Sequence, residues 1–240
     1  MKTWNLFACL RAAYVRWRRR NARIFALMGG PGCGKDTQAK LIAPKLKLPV
    51  VSTGDLCRRE IAAKSEIGQL IEGHVKSGKL APDEVIFKLL RQELELPKYY
   101  GGFILNGFPR TAAQARLLDQ LLLEWNNHVS RVIMLDVPEP DLIERLSLRR
   151  TCTNKSCGKT FHLKFSPPKQ ADTCDACKSP LYQRADDVPD TIIKRIEEYK
   201  ATSQPLCDYY REKRILTIVS STNAQKPDQV AVLVISAIQS

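Results

Sequence analysis

The stretch Gly29-Gly30-Pro31-Gly32-Cys33-Gly34-Lys35-Asp36-Thr37-Gln38 constrains this chain more than any other. It follows an apolar run, Ile24-Phe25-Ala26-Leu27-Met28, that reads as a short buried strand. It precedes Ala39, Ile42 and Leu46, which stand at helical spacing. Strand, glycine-rich turn and helix form the context in which Gly-x4-Gly-Lys makes a phosphate site. The glycines let successive N–H groups point inward, and the helix N-terminus adds partial positive charge at the same point. Lys35 brings a full charge for the β/γ-phosphates. One position departs from the pattern. A Ser or Thr hydroxyl for Mg²⁺ is expected after Lys35, but Asp36 stands there and Thr37 follows.

The surrounding composition fits one large domain with inserts, or two small ones, in 240 residues. No apolar run is long enough to predict a membrane span. The net charge is +13, and residues 1–23 hold seven basic and no acidic side chains, leaving +6 for the rest. A nucleotide enzyme needs such an excess to meet phosphates, so it points only weakly to nucleic acid. In the leader, Trp4, Phe7, Leu10, Tyr14 and Trp17 recur at three- and four-residue spacing as a helical stripe. An organelle-targeting peptide, a membrane-surface helix and a solvated tail all fit that segment.

Past the glycine-rich turn, strands and helices alternate. Strands are predicted at Leu48–Val51, Gly102–Leu105, Val132–Leu135 and Ile215–Val219. Helices are predicted from Ser52 through Arg58, twice within 66–96, after Thr111, from about Pro140, from Asp190 and near 228–239. The helix from Pro140 is read as carrying Arg145, Arg149 and Arg150, and Leu117, Leu118, Leu121 and Leu122 as core. Such alternation means a parallel sheet covered on both faces.

Residues 151–187 break the rhythm. They hold Cys152-x4-Cys157 and, after sixteen intervening residues, Cys174-x2-Cys177. Two close pairs across a loop offer four thiolates for a closed, structural tetrahedral Zn²⁺. Disulfide pairing and an empty site are the alternatives, though clustered ligands favour a reducing compartment. Cys9, Cys33, Cys57 and Cys207 lie outside this set, and His162 beside it reads as packing rather than as a ligand.

The glycine-rich turn, Ser52-Thr53-Gly54-Asp55 with Arg58, Gly107-Phe108-Pro109-Arg110-Thr111, Asp136-Val137-Pro138 and Arg184-Ala185-Asp186-Asp187 follow in this order. Together they resemble adenylate kinase in its long form with a zinc-bearing lid, over roughly residues 24–239. The resemblance implies a P-loop NTPase core with a five-stranded parallel sheet flanked by helices. It adds a helical NMP-binding insert at 52–81 and a zinc-ribbon-like lid at 148–187. It implies reversible transfer of the terminal phosphoryl of MgATP to AMP, giving two ADP, within nucleotide biosynthesis. Gly30, Gly32, Cys33, Gly34, Lys35, Asp36, Thr37, Arg145, Arg149 and Phe161 would meet ATP. Thr53, Arg58, Lys79, Leu80, Ala81, Gly107, Arg110, Gln114, Arg184 and Arg195 would meet AMP. Lys35, Arg110, Arg145, Arg149, Arg184 and Arg195 would act in catalysis. The cofactors implied are Mg²⁺ with ATP and a structural Zn²⁺. A cytoplasmic monomer is expected, without nucleic acid or stable membrane association. Were the leader a transit peptide, the location would be organellar.

Two departures from the family pattern keep alternatives open. The first cysteine pair is usually separated by two residues, here by four. Asn106 stands where the family normally has an Asp that orders the waters of Mg²⁺, so Asp36 and Asn106 are read together as a Mg²⁺ second shell. A kinase of another nucleoside monophosphate, a weakened or non-catalytic nucleotide binder, and a zinc-ribbon nucleic-acid binder using the basic leader are the remaining readings.

Overall fold

The computed structural model describes residues 3–154 and 156–239, with side chains from residue 12 onward. The core is a sheet of five parallel strands: β1 (Arg23–Gly29), β2 (Val50–Ser52), β3 (Gly102–Asn106), β4 (Arg131–Asp136) and β8 (Leu216–Ser220). Their spatial order is β2-β3-β1-β4-β8. Along β1 the side chains alternate between two cores, as the period of two requires. Ile24, Ala26 and Met28 pack into one cluster; Phe25 and Leu27 join the other. The first cluster is covered by α3 (Thr53–Ala63), α4 (Glu66–Ser77), α5 (Asp83–Leu94) and α6 (Ala112–Glu124). The second is covered by α2 (Lys35–Leu46), α7 (Glu139–Ser147) and α9 (Pro227–Gln239). The long α8 (Pro189–Glu212) reaches both, through Ile192 and Ile196 at one end and Leu206 and Tyr210 at the other.

The strand order places the site. β3 lies on one side of β1 and β4 on the other, so the connections leaving their ends diverge. Ligands bind in that crevice at the carboxyl ends of the strands. The register carries Asn106 beside Leu27 of β1 and Ser52 of β2. The glycine-rich turn, Thr53 and Gly107 therefore emerge on one edge.

Between α7 and α8 the chain forms a small antiparallel sheet, order β6-β5-β7, from β5 (Arg149–Cys152), β6 (Thr160–His162) and β7 (Leu181–Tyr182). Here one expectation is corrected. The helix after Pro138 ends at Ser147, and Arg149 and Arg150 stand on β5, paired with His162 and Phe161. The ladder to β6 and β7 takes the backbone groups that a longer helix would have used. Two smaller corrections follow: β2 begins at Val50 rather than Leu48, and Leu117 is only half-buried beside fully buried Leu118 and Leu122.

The leader is helical, α1 (Thr3–Arg20). The Trp4, Phe7 and Leu10 part of its stripe, and Cys9, lie outside the described side chains. Tyr14 and Trp17 are exposed, at 55% and 61%. What fastens the end of α1 is Arg19. Its guanidinium lies 4.3 Å from the Trp125 ring centre and 4.6 Å from that of Tyr100, and it pairs with Glu95 at 2.6 Å. A cation over aromatic faces is worth more as it leaves water.

Candidate active site

The turn after β1 is shaped by contacts that only glycine tolerates. Gly29 has φ +135°, and a Cβ there would lie 2.5 Å from the Leu135 carbonyl oxygen and 2.7 Å from Cys33 Sγ. Gly34, at φ +98°, starts α2 with no side-chain cap. The first N–H groups of α2 thus have no side chain to satisfy them, and an anion is the natural partner. Lys35 Nζ folds back onto the turn, donating to the carbonyls of Gly29 at 2.7 Å and Gly30 at 2.8 Å.

This turn forms one wall of a cleft of about 800 Å³. Every residue singled out for a nucleotide lines it except Gly30. On the opposite wall, Gly107 turns at φ +78°, and its carbonyl accepts from Thr53 Oγ1 and from Arg110 Nε, both at 2.9 Å. Gln114, 2% exposed, is not a surface glutamine. Its Oε1 accepts from the Arg110 N–H and its Nε2 donates to Asp83 Oδ1, both at 2.7 Å. Asp83 also accepts from Thr111 Oγ1 at 2.8 Å, so the start of α5 fixes the start of α6. One amide proton and one lone pair of Gln114 remain for a ligand.

The six arginines come from six places in the fold. Arg58 on α3 pairs with Asp55; burial opposes its charge, but that partner outweighs it and holds the guanidinium above its usual range. Arg145 on α7 donates to Asn223 Oδ1 at 2.6 Å, reaching the loop after β8. Arg149 gives a two-pronged contact to Asp187, Nε at 2.7 Å and Nη2 at 2.6 Å. Arg195 on α8 reaches the same carboxylate and that of Asp186, each at 3.0 Å. Arg184 donates to Thr151 Oγ1 at 3.1 Å. Burial, then the charges of Arg149 and Arg58, push Arg184 down to about 10. Burial and then Arg195 likewise lower Arg110. Cations that depress one another in a cleft hold a potential that a polyanion relieves. Asp187, Asp83 and Asn223, which set these positions, carried no assigned role from sequence. Only the Asp186-Asp187 pair stood inside a quoted motif.

On the lid side, Phe161 of β6 is buried beneath Lys159, whose Nζ lies 5.4 Å from the ring centre. His162 stacks on Phe165 at 4.5 Å, and its Nδ1 accepts the N–H groups of Lys164 and Phe165. Burial lowers its pKa, so the ring is neutral and Nε2 carries the proton. It packs beside the cleft and is not among the metal-ligand candidates.

The four lid cysteines bring their sulfurs within 4.8 Å of one another. Cys152 and Cys177 are 3.4 Å apart, and Cys157 and Cys174 3.7 Å. A tetrahedral Zn²⁺ with bonds of about 2.3 Å sets its sulfurs about 3.8 Å apart. Hydrogen bonding to the Ser179 hydroxyl and then its backbone pushes Cys177 down to about 6, while burial and then the Cys177 contact push Cys152 up to about 12. The longer first knuckle does not prevent the four from meeting. The donor set is compatible with structural zinc.

A cleft of this build agrees with known proteins. The model of the family described as "Adenylate kinase" matches residues 27–215. An adenylate kinase of Archaeoglobus fulgidus is 44% identical over 195 residues, covering 81% of this chain and 89% of its own length. That of Thermodesulfovibrio yellowstonii is 44% identical over 197 residues, 82% and 91% of the two chains. That of Clostridium novyi is 42% identical over 204 residues, 85% and 93%. With an uncapped phosphate turn, converging arginines and a four-cysteine lid over the span these relatives share, the chain belongs to the adenylate kinase family.

Proposed function

We propose that the chain transfers the terminal phosphoryl group of ATP to AMP, giving two ADP, and runs the reverse reaction in the same cleft. The observation that carries this is the ring of Arg58, Arg110, Arg145, Arg149, Arg184 and Arg195 around one cleft that opens at the phosphate turn. The two substrates bring about six negative charges near neutral pH, and the attacking AMP phosphate oxygen is already ionised. No general base is needed. That oxygen forms a bond to the γ-phosphorus as the bond to the β–γ bridging oxygen breaks, and the electron pair leaves with ADP. The work of the protein is positioning and charge stabilisation.

The roles follow from placement. The N–H groups of the turn and Lys35 receive the ATP phosphates, with Lys35 exchanging its carbonyl contacts for phosphate oxygens. Arg58 and Arg110 hold the AMP phosphate, Arg110 steadied by Gly107. Gln114, already oriented by Asp83, offers adenine a donor and an acceptor, a pattern that uracil does not match. Arg145, Arg149, Arg184 and Arg195 close on the transferring group, because a planar guanidinium meets phosphate oxygens two at a time. Mg²⁺ arriving with ATP supplies neutralisation of the β- and γ-phosphate charge. Cys152, Cys157, Cys174 and Cys177 would hold Zn²⁺, fixing an insert whose buried core among the described residues is Cys152, Phe161 and Cys174, with Cys157, Cys177 and Leu181 packed against it. Residues 52–81 and 148–187 serve as the two movable parts around a 24–239 kinase domain, with 1–23 as an extension. Every residue assigned to ATP and AMP belongs to this one chain, which supports a monomer acting on diffusible nucleotides. No described helix is long and apolar enough to cross a membrane.

ADP formation from ATP with each nucleoside monophosphate tests this reading. AMP should be the preferred acceptor. Faster turnover with UMP would favour another monophosphate kinase, and nucleotide binding without turnover would favour a binder.

A further inference from the structure

The cleft contains an acid that its phosphate chemistry does not use. Asp36 is in the first turn of α2, where the helix dipole favours an anion. That placement alone would make it an ordinary helix-start residue. Its side chain, however, makes no cap. Asp36 Oδ1 instead accepts from Asn106 Nδ2 at 2.6 Å, across from α2 to the end of β3. Asn106 is 4% exposed and held in the sheet between β1 and β2, so it has little freedom to follow a surface carboxylate. The pair is built, not incidental.

Asn106 donates to the carboxylate, and the charges of Arg58, Lys35 and Arg184 act on it within the cleft. A fixed anion thus lines the part of the cleft where the phosphates enter. Anion against polyphosphate repels, with energy that falls only as the inverse of distance. A divalent cation between them converts the repulsion into attraction on both sides. The atoms left for such a cation are all oxygens. Asp36 Oδ2 and Asn106 Oδ1 take no hydrogen bond among the described residues, and the Thr37 hydroxyl is next along the chain. Oxygen donors with one carboxylate suit Mg²⁺, which keeps several waters and takes phosphate oxygens for the remainder. An all-oxygen set beside a phosphate turn fits the ion that ATP carries.

We propose that Asp36 and Asn106 work as one positioning unit for the Mg²⁺ of MgATP, Asp36 supplying the negative charge and Asn106 fixing the carboxylate and presenting its amide oxygen. The unit explains both departures of the sequence at once. The carboxylate expected at position 106 stands one hydrogen bond away, on the neighbouring element. Exchanging the two side chains would move the charge by only that contact, which predicts that either arrangement can serve and that having neither carboxylate cannot. The proposal rests on the nucleotide reading above.

The test is equilibrium binding of ATP by calorimetry, with and without Mg²⁺, to the full chain, to Asp36→Asn, and to the exchange variant Asp36→Asn/Asn106→Asp. Thermal unfolding of each confirms a folded protein. The quantity read is the factor by which Mg²⁺ tightens ATP. Asp36→Asn should lower that factor by about tenfold or more, the usual effect of losing an outer partner of a metal. Metal-free ATP should bind the variant more tightly, because the repulsion is gone. The exchange variant should recover most of the factor. A factor unchanged in Asp36→Asn would overturn the proposal, as would equal tightening of ATP and MgATP, which would mark Asp36 as a mere repulsive charge. Failure of the unaltered chain to bind either form of ATP would instead overturn the reading of the cleft itself, and the proposal with it.

Discussion

Asp187→Asn removes the charge that holds two of the cleft's arginines. The carboxylate is fully buried and accepts from Arg149 Nε and Nη2 at 2.7 and 2.6 Å and from Arg195 Nη1 at 3.0 Å. The arginine side chains are 17% and 19% exposed, so both charges are largely out of water. Removing one partner of a buried pair costs about 3–5 kcal/mol, because the other charge is left uncompensated. Asp186 still reaches Arg195 at 3.0 Å, and some water reaches both guanidinium groups, so the low end applies, about 3 kcal/mol. In a chain of this size that corresponds to a fall in Tm of roughly 6–12 °C. The variant keeps the shape but turns an amide N–H toward a guanidinium, so Arg149 must shift. A displacement of about 1 Å at a positioning group costs on the order of a hundredfold in rate. Calorimetric unfolding and a coupled assay of ADP formation measure the two effects. Asp186→Asn, at a more exposed contact, is the control and should cost under about 1 kcal/mol. A Tm within 2 °C of the parent, or a kcat within about twofold, would refute the claim that Asp187 organises the cleft.

Three further outcomes are expected. Elemental analysis should find one zinc per chain, and Cys174→Ser should lose it and unfold the lid before the core; full zinc content in that variant would count against the four-thiolate site. A two-substrate mimic should slow hydrogen exchange in residues 52–81 and 148–187 together, since closure expels water from both sides of the cleft; unchanged exchange would argue against movable parts. Glu93 provides a pH signature. Burial raises its carboxyl, but hydrogen bonds from Lys98, Tyr99 and Arg59 outweigh that and hold it below the usual range. A carboxylate with a lowered folded pKa stabilises above its unfolded value and loses that contribution as pH falls through the folded one. Glu93→Gln should therefore flatten the stability loss as pH falls below about 5, and a parallel curve would contradict the assignment.

The contrast between what was legible in sequence and what was not has a consistent cause. The phosphate turn was legible because its chemistry is local: glycines, Lys35 and the start of α2 are contiguous, although the crowding that demands glycine at position 29 comes from Leu135 on β4. The strands and most helices followed from periodicity, and the cysteine quartet from ligand spacing within each knuckle. The sequence by itself also carried enough ordered motifs to indicate the family and the arginines to inspect. It misplaced Arg149 and Arg150 because the pattern of α7 runs on past Ser147. Only the ladder between β5, β6 and β7 ends the helix, and that ladder joins segments separated along the chain. The same holds for four of the contacts that orient the site. Asp36 meets Asn106, Gln114 meets Asp83, Arg145 meets Asn223 and Arg149 meets Asp187 across tens of residues. Each is a hydrogen bond or ion pair of under 3 Å between elements whose relative placement is set by the sheet order and the two cores. The tertiary structure decided those contacts because an ordered directional bond needs both partners fixed in space, and only packing fixes them.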